Sequence, residues 1–171
     1  MGLRPGRTTK SLQRPYTRVS KKKPRKSYVV GAPYPRIHVF NMGNPDKEYD
    51  KTLWLSVDRS VQLRDNSLEA ARIVANKLLE RTIGSENYFM KILIFPHHVL
   101  REHSLATGAG ADRFSSGMRK SFGKPSGRAA QVRKGQNVIM LKIFKKDLEV
   151  GKKALKRADS KLATPCSIKI K

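Results

Sequence analysis

The chain has 171 residues, 38% of them hydrophobic, which is enough for one domain with a modest core and too few for two full domains. Its 37 basic and 13 acidic residues give a net charge of +24, so the free protein repels itself and needs a strongly anionic partner. Short apolar runs exclude a membrane-spanning helix, the basic, polar start is unlike a secretory signal, and the lone Cys166 excludes an internal disulfide. We therefore expect a soluble, intracellular protein whose partner is nucleic acid.

The charge is divided unevenly along the chain. The first 36 residues hold 11 basic residues and no acidic one, whereas residues 37–100 hold 8 of each. Residues 101–135 carry a net charge of +6, and residues 136–171 carry +7. This partition predicts a folded, neutral centre with basic extensions that contact phosphates.

Residues 1–35 are expected to form an extended basic arm. Prolines interrupt the segment, and it has too little apolar surface to fold alone. On RNA the arm could become ordered, with basic side chains on phosphates and tyrosine on exposed bases; a solvated tail is the alternative. The candidate RNA-binding residues are Arg4, Arg7, Lys10, Arg14, Tyr16, Arg18, Lys21, Lys22, Lys23, Arg25, Lys26 and Arg36.

Residues 36–171 are expected to form a single α+β domain, and its first elements are strands. Residues 36–42 predict the first strand, and residues 43–46 predict a turn. Residues 52–63 alternate between apolar and polar, as in a half-buried strand or hairpin. The positions predicted to face inward are Leu53, Leu55, Val57, Val61 and Leu63.

A helix is predicted next. Asn66 is the expected N-cap, Glu69 could complete a capping box, and Gly84 should follow the last helical residue, Thr82 or Ile83. We expect this helix to lie across the neighbouring strands. Its predicted apolar stripe is Leu68, Ala71, Ala75, Leu78 and Leu79.

The remaining elements are strands and a second helix. Residues 88–95 are apolar on both parities except Lys91, which predicts a central strand covered on both faces. Strands are also predicted at 97–103, 136–144 and 166–171. Asp147 is the expected cap of the second helix, whose apolar positions are Leu148, Gly151, Leu155, Ala158 and Leu162. The order predicts a two-layer α+β domain with two helices on a mixed or antiparallel sheet.

Residues 104–134 are predicted to be a long, mobile, basic loop. They include five glycines, seven basic residues and a single acidic residue, and loops of this length inside a domain are usually functional or disordered. Glycine allows backbone amides to approach phosphates, and Phe114 and Phe122 can stack on bases. The charged candidates are Arg113, Arg119, Lys120, Lys124 and Arg128.

The sequence does not predict catalysis. Gly117 and Gly123 enclose five residues instead of the four of a P-loop, and Pro125 stands where the magnesium-binding hydroxyl should be. The four histidines lack metal-ligand spacing, and no pair of carboxylates suggests acid–base chemistry. We expect no catalytic residue, no metal and no cofactor.

Several separated motifs resemble those of a known family. Residues 109–132, AGADRFSSGMRKSFGKPSGRAAQV, resemble the central loop of the archaeal and eukaryotic large-subunit ribosomal protein ten-e, the counterpart of bacterial large-subunit protein sixteen. SLEAARIVANK from Ser67, PHHVLR from Pro96, GQNVIM from Gly135 and the opening MGLRP extend the resemblance.

The resemblance implies an α/β-hammerhead-type fold and a place on ribosomal RNA of the large subunit, in the cytoplasm, near the path of transfer RNA to the peptidyl-transferase centre. The loop should face transfer RNA through the charged candidates above, with Phe114 and Phe122, and the basic arm should bind ribosomal RNA. Neighbouring ribosomal proteins would be further partners, with no membrane association and no homo-oligomer. The lysine-rich end of the chain suggests an archaeal member.

Two other functions agree with parts of the sequence. A free RNA-binding chaperone or regulator would share the same charge pattern without a fixed place on the ribosome. An enzyme would have to hydrolyse nucleotides in the absence of RNA.

Overall fold

Two antiparallel sheets and two helices make up the computed structural model, which describes residues 5–6, 10–12, 22, 29–106, 108–114 and 117–171. The strands are β1 Asn41–Gly43, β2 Lys51–Val57, β3 Val61–Arg64, β4 Tyr88–Ile92, β5 His98–Glu102, β6 Lys124–Val132, β7 Asn137–Ile143 and β8 Cys166–Ile170. The helices are α1 Asp65–Ile83 and α2 Leu148–Asp159.

The larger sheet has five strands in the order β1-β4-β7-β2-β8, and the smaller has three in the order β3-β6-β5. All the neighbouring strands are antiparallel. The predicted α+β class with two helices is confirmed, but the strands are divided between two antiparallel sheets instead of forming one mixed sheet. Antiparallel pairing was one of the two arrangements that the element order allowed.

The two helices pack on each other and close the core. Helix α2 lies on β2, β7 and β8, whereas α1 reaches strands of both sheets. Gly151 marks the closest approach of α2 to the larger sheet, because a Cβ atom there would lie 2.5 Å from Ile143 Cδ1. On the α1 side, the Tyr88 hydroxyl donates a hydrogen bond to Asn76 Oδ1 at 2.6 Å, which joins β4 to the helix.

The alternating segment 52–63 is two strands in different sheets, not one strand or a hairpin. Its predicted inward residues are all buried, as expected, but Ser56 and Gln62 of the opposite parity are buried as well. Between the strands, Asp58 N donates to Pro165 O at 3.1 Å, and the chain then crosses to the smaller sheet. A period-two pattern reports which side chains are buried, but it does not report which strand each one pairs with.

The first helix ends as predicted, but it begins differently. It runs from Asp65 to Ile83 and is followed by Gly84, and its N-cap residue, Arg64, makes no side-chain cap hydrogen bond. The expected capping box of Asn66 and Glu69 is therefore wrong. Asp65 instead accepts a hydrogen bond from Arg36 N at 2.9 Å, a partner far away in sequence. The predicted stripe is buried except for Leu78, which is half-buried.

Two strand predictions need correction. The first strand is only Asn41–Gly43 instead of residues 36–42. Strand β4 lies second from the edge of its sheet and is covered on one face, because Tyr88, Met90 and Ile92 are buried whereas Phe89 is half-buried and Lys91 is exposed. The apolar composition of residues 88–95 therefore predicted more burial than this segment has.

The second half of the predicted loop is a strand. Residues 124–132 form β6, the central strand of the smaller sheet, and Ala129, Ala130 and Val132 are buried. The connection between β5 and β6 is therefore residues 103–123, hereafter the basic loop. The sequence pattern did not separate these two halves, since glycine and basic residues occur in both.

Strand β7, helix α2 and strand β8 agree with the sequence in position. Strand β7 buries Ile139, Leu141 and Ile143, and β8 follows Pro165. Helix α2 begins one residue after Asp147, but the Asp147 side chain makes no cap hydrogen bond, so that part of the prediction is wrong. Among the residues that the structure describes, no helix has the length and hydropathy needed to cross a membrane.

Gly43 provides a test of the close contact between β1 and β4. We predict that Gly43→Ala lowers the free energy of unfolding by more than about 3 kcal/mol, because the new Cβ would lie 2.1 Å from Tyr88 O and the residue has φ +83°. Gly135→Ala is the matched control, with φ +80° and nothing within 4 Å of the new Cβ, and should cost only about 1–2 kcal/mol. Chemical denaturation measures both, and equal losses would contradict the packing.

Candidate nucleic-acid interface

The basic loop is carried by a hairpin of the smaller sheet. Strands β5 and β6 pair with Glu102 opposite Lys124, which places the two ends of the loop side by side. The register shifts between Leu100 and Arg101, so the β5 strand is irregular just before the loop begins. A paired base of this kind gives the loop a fixed origin on the domain.

Arg101 closes the base of the loop. Its Nη2 donates to Gly123 O at 2.7 Å, and its guanidinium carbon lies 4.1 Å from the centre of the Phe122 ring. Gly123 has φ +75°, and a Cβ there would lie 2.4 Å from the Glu102 carbonyl carbon. Only glycine therefore fits where β6 starts, and Arg101 holds the last turn of the loop against β5.

The described part of the loop is folded by local turns. Residues 111–113 form a turn of 3-10 helix, and Ser121 N donates to Met118 O at 3.1 Å. His103 Nε2 lies 2.9 Å from Gly117 O, so this nitrogen must carry the proton to donate. Lys120 has φ +58°, which is uncommon for a residue with a side chain. These contacts shape the loop without burying it.

Aromatic, apolar and basic side chains project from the loop into solvent. Phe114 is 87% exposed, Met118 is 73% exposed and Phe122 is 61% exposed. The exposed basic side chains of the loop and of the first residue of β6 are Arg113, Arg119, Lys120 and Lys124. Large apolar groups left in water among cations are typical of a binding surface, and this combination suits phosphates and base faces.

Arg128 is separated from the other loop candidates. It lies within β6, is half-buried and pairs with Val99 of β5. Its Nε donates to Pro33 O at 2.6 Å, which joins the residues before β1 to the hairpin. The structure therefore gives Arg128 a role in holding residues 29–36 in place, a role that spacing in the sequence did not suggest.

Three of the twelve candidates in and beside the N-terminal arm lie among the described residues. Lys10, Lys22 and Arg36 are all exposed. The backbone beside two of them is anchored, because Gln62 N donates to Lys10 O at 3.2 Å and Arg36 N donates to Asp65. The others lie outside the described residues: Arg4, Arg7, Arg14, Tyr16, Arg18, Lys21, Lys23, Arg25 and Lys26.

The remaining titratable groups do not form a reactive site. Burial lowers the pKa of His98 below its usual value, which keeps this histidine neutral and adds no charge to the hairpin. Burial likewise raises the pKa of Cys166 to about 12, so its thiol is not a nucleophile at neutral pH. Within the described part of the chain, no three His, Cys, Asp or Glu side chains are arranged to hold a metal ion.

The fold and this surface define a small α+β protein with cations and aromatic rings exposed on one loop. A family model, ribosomal protein L16p/L10e, matches residues 16–169. The large ribosomal subunit protein uL16 of Archaeoglobus fulgidus is 46% identical over 168 residues, which cover 98% of this chain and 92% of the relative. The protein of the same name from Staphylothermus marinus is 46% identical over 172 residues, covering 100% and 95%.

The chain therefore belongs to the ribosomal protein L16p/L10e family. The resemblance found in the sequence is confirmed, as is the expectation of a structural ribosomal component instead of an enzyme. The sequence identified the exposed loop residues. It did not identify Arg101, whose only local signal is a basic residue at the end of a strand that leads into a glycine-rich loop.

Arg101 should control how tightly the loop base is closed. We predict that Arg101→Gln speeds amide exchange at Ser121 and Gly123 about tenfold, because a charged hydrogen bond and a cation–π contact worth about 1–2 kcal/mol together are lost. Arg133→Gln removes the same charge from an exposed position near β6 and should leave those amides unchanged. Hydrogen exchange followed by mass spectrometry or NMR measures both variants, and equal effects would contradict the closure.

Proposed function

We propose that the chain is a structural constituent of the large ribosomal subunit, that it binds ribosomal RNA and lines the transfer-RNA path near the peptidyl-transferase centre, and that the basic loop contacts transfer RNA. The observation that carries the proposal is an exposed basic and aromatic loop on a closed hairpin in a member of this ribosomal family. The relatives' name, large ribosomal subunit protein, supports the subunit.

The proposed contact with ribosomal RNA uses the N-terminal arm. Where the structure describes this segment, its backbone is hydrogen-bonded to β3 and to the start of α1, and the side chains of Lys10 and Arg36 remain in solvent. An anchored backbone with free cations loses little further conformational entropy on binding phosphates. The arm residues outside the described part stay candidates on the strength of their charge.

The proposed contact with transfer RNA uses the side chains at the far end of the loop. Arg113, Arg119 and Lys120 are exposed, so each can meet a phosphate without breaking a buried contact. Phe114 can stack on a base or on a ribose without a prior rearrangement. Lys124, at the end of β6 beside the loop, would add a further cation at the loop's base, whereas Arg128, within β6, would support the hairpin through its bond to Pro33.

The neighbours of such a protein follow from the same proposal. It would sit on the ribosome, in the cytoplasm, against ribosomal RNA and adjacent ribosomal proteins, as a single copy. No cofactor is needed, because binding requires only the protein's cations, rings and backbone amides. A free RNA chaperone would use the same groups but would leave the large subunit during a high-salt wash, whereas a constituent should stay.

A loop variant tests the transfer-RNA contact. We expect large subunits reconstituted with the triple variant Arg113→Ala, Arg119→Ala and Lys120→Ala to bind transfer RNA about tenfold more weakly at low salt. The slope of log affinity against log salt should also become shallower by about 0.7–0.9 for each phosphate contact that is lost. Filter binding over a range of salt concentrations measures both quantities.

The matched control removes three charges elsewhere: Lys77→Ala, Lys153→Ala and Lys156→Ala, all exposed on the helices. It should incorporate into subunits and bind transfer RNA normally. If the loop variant also binds normally, the loop does not contact transfer RNA. If it fails to incorporate, the loop contributes to assembly instead.

A further inference from the structure

The larger sheet has one face that the helices do not cover. In each strand alternate side chains point to opposite faces, and the buried set, which includes Met90, Leu141 and Leu53, faces α1 and α2. The other set points away from the helices. It contains half-buried Phe89, Trp54 and Met140 and exposed Lys91, so this part of the face is reachable by solvent, whereas Val138, two residues before Met140 on β7, is buried.

The strand register places these side chains in two adjacent rows. Paired residues lie side by side across the sheet, about 4.5–5.5 Å apart at Cβ. The first row, from β1 to β8, is Asn41, Lys91, Met140, Trp54 and Lys169. The second row, ending one residue beyond β8, is Gly43, Phe89, Lys142, Thr52 and Lys171.

The two rows contain four lysines and no carboxylate. A carboxylate borders them, because Asp58 accepts a hydrogen bond from Ser167, which lies two residues before Lys169 on the same face of β8. The lysines surround the rings: Lys142 is paired with Phe89, and Lys169 is paired with Trp54. Long lysine stems can lie along apolar surface while their ammonium groups stay in water.

Trp54 is the central feature of the face. The register places it in the fourth of five strands, between Met140 and Lys169, partly buried on the side opposite the core. An indole held by Met140 on one side and a lysine on the other is a rigid platform for a flat ring.

We propose that this face is a second RNA-binding surface, on which Trp54 stacks an unpaired base while Lys91, Lys142 and Lys169 bind the flanking phosphates. Aromatic side chains on an open antiparallel sheet, ringed by cations, are a common way to hold single-stranded RNA. The proposal extends the proposed ribosomal function by giving RNA a site separate from the arm and the loop. An acidic protein segment is the competing occupant, because it too would match the charge.

Intrinsic fluorescence tests the proposal directly, because Trp54 is the chain's only tryptophan. Titrating the full-length protein with a short oligoadenylate should quench Trp54 emission in a saturable way, since a stacked base quenches indole. Lys91→Ala combined with Lys142→Ala should weaken the quenching transition about tenfold and lower its salt slope by about 1.4. The control pair Lys153→Ala and Lys156→Ala removes the same charge from α2 and should leave the transition unchanged.

Three results would overturn the proposal. One is binding of labelled oligoadenylate with no change in Trp54 emission, which would place RNA elsewhere. Another is equal loss in both lysine pairs, which would show a general charge effect. The third is stronger quenching by a polyglutamate peptide than by RNA, which would favour an acidic protein.

The loop variant with alanine at positions 113, 119 and 120 separates this proposal from the previous one. Trp54 quenching should persist in that variant. Persistent quenching together with unchanged transfer-RNA binding would remove the loop function and leave the sheet surface in place. Circular dichroism of each variant shows whether its fold is intact.

Discussion

Electrostatic repulsion is the constraint on which this structure depends. A chain of net charge +24 must form a core while its cations remain in water and available to a partner. The described structure meets this requirement by burying apolar residues between two sheets and two helices and by directing lysine and arginine outward. Loops, helix faces and the uncovered sheet face therefore carry the charge. Binding to RNA would relieve the repulsion among these cations.

The rigid and the accessible parts of the interface are adjacent in the hairpin. Three features fix the base of the loop. Strands β5 and β6 pair antiparallel, Gly123 occupies a position where only glycine fits, and the Arg101 guanidinium packs on the Phe122 ring. Beyond that base, Phe114 and its basic neighbours are exposed and held only by local turns. A fixed base limits the volume that the exposed side chains sample, which lowers the entropy lost when they bind.

Local pattern predicted much of the fold, and long-range pairing accounts for what it missed. The stripe of α1 and the alternation of Leu53 to Leu63 were correct because burial of apolar side chains is encoded by their spacing. Strand β6 was missed because Gly127, Arg128 and two alanines have weak strand propensity, and pairing on both sides makes them a strand. The predicted start of α1 was wrong because Asp65 is bonded to Arg36, far away in sequence.

At the site, the exposed loop residues were evident from composition. Arg101 and the uncovered sheet face could be recognised only from the strand register, which local sequence does not encode.

A cryo-electron microscopy map of the large subunit containing this chain would show whether the hairpin presents the basic loop to transfer RNA, as we propose. Maps with and without transfer RNA should show the same hairpin base at Arg101 and Gly123. With transfer RNA bound, Arg113, Arg119 and Lys120 should lie against its phosphates. A loop that points away from transfer RNA in both maps would contradict the account.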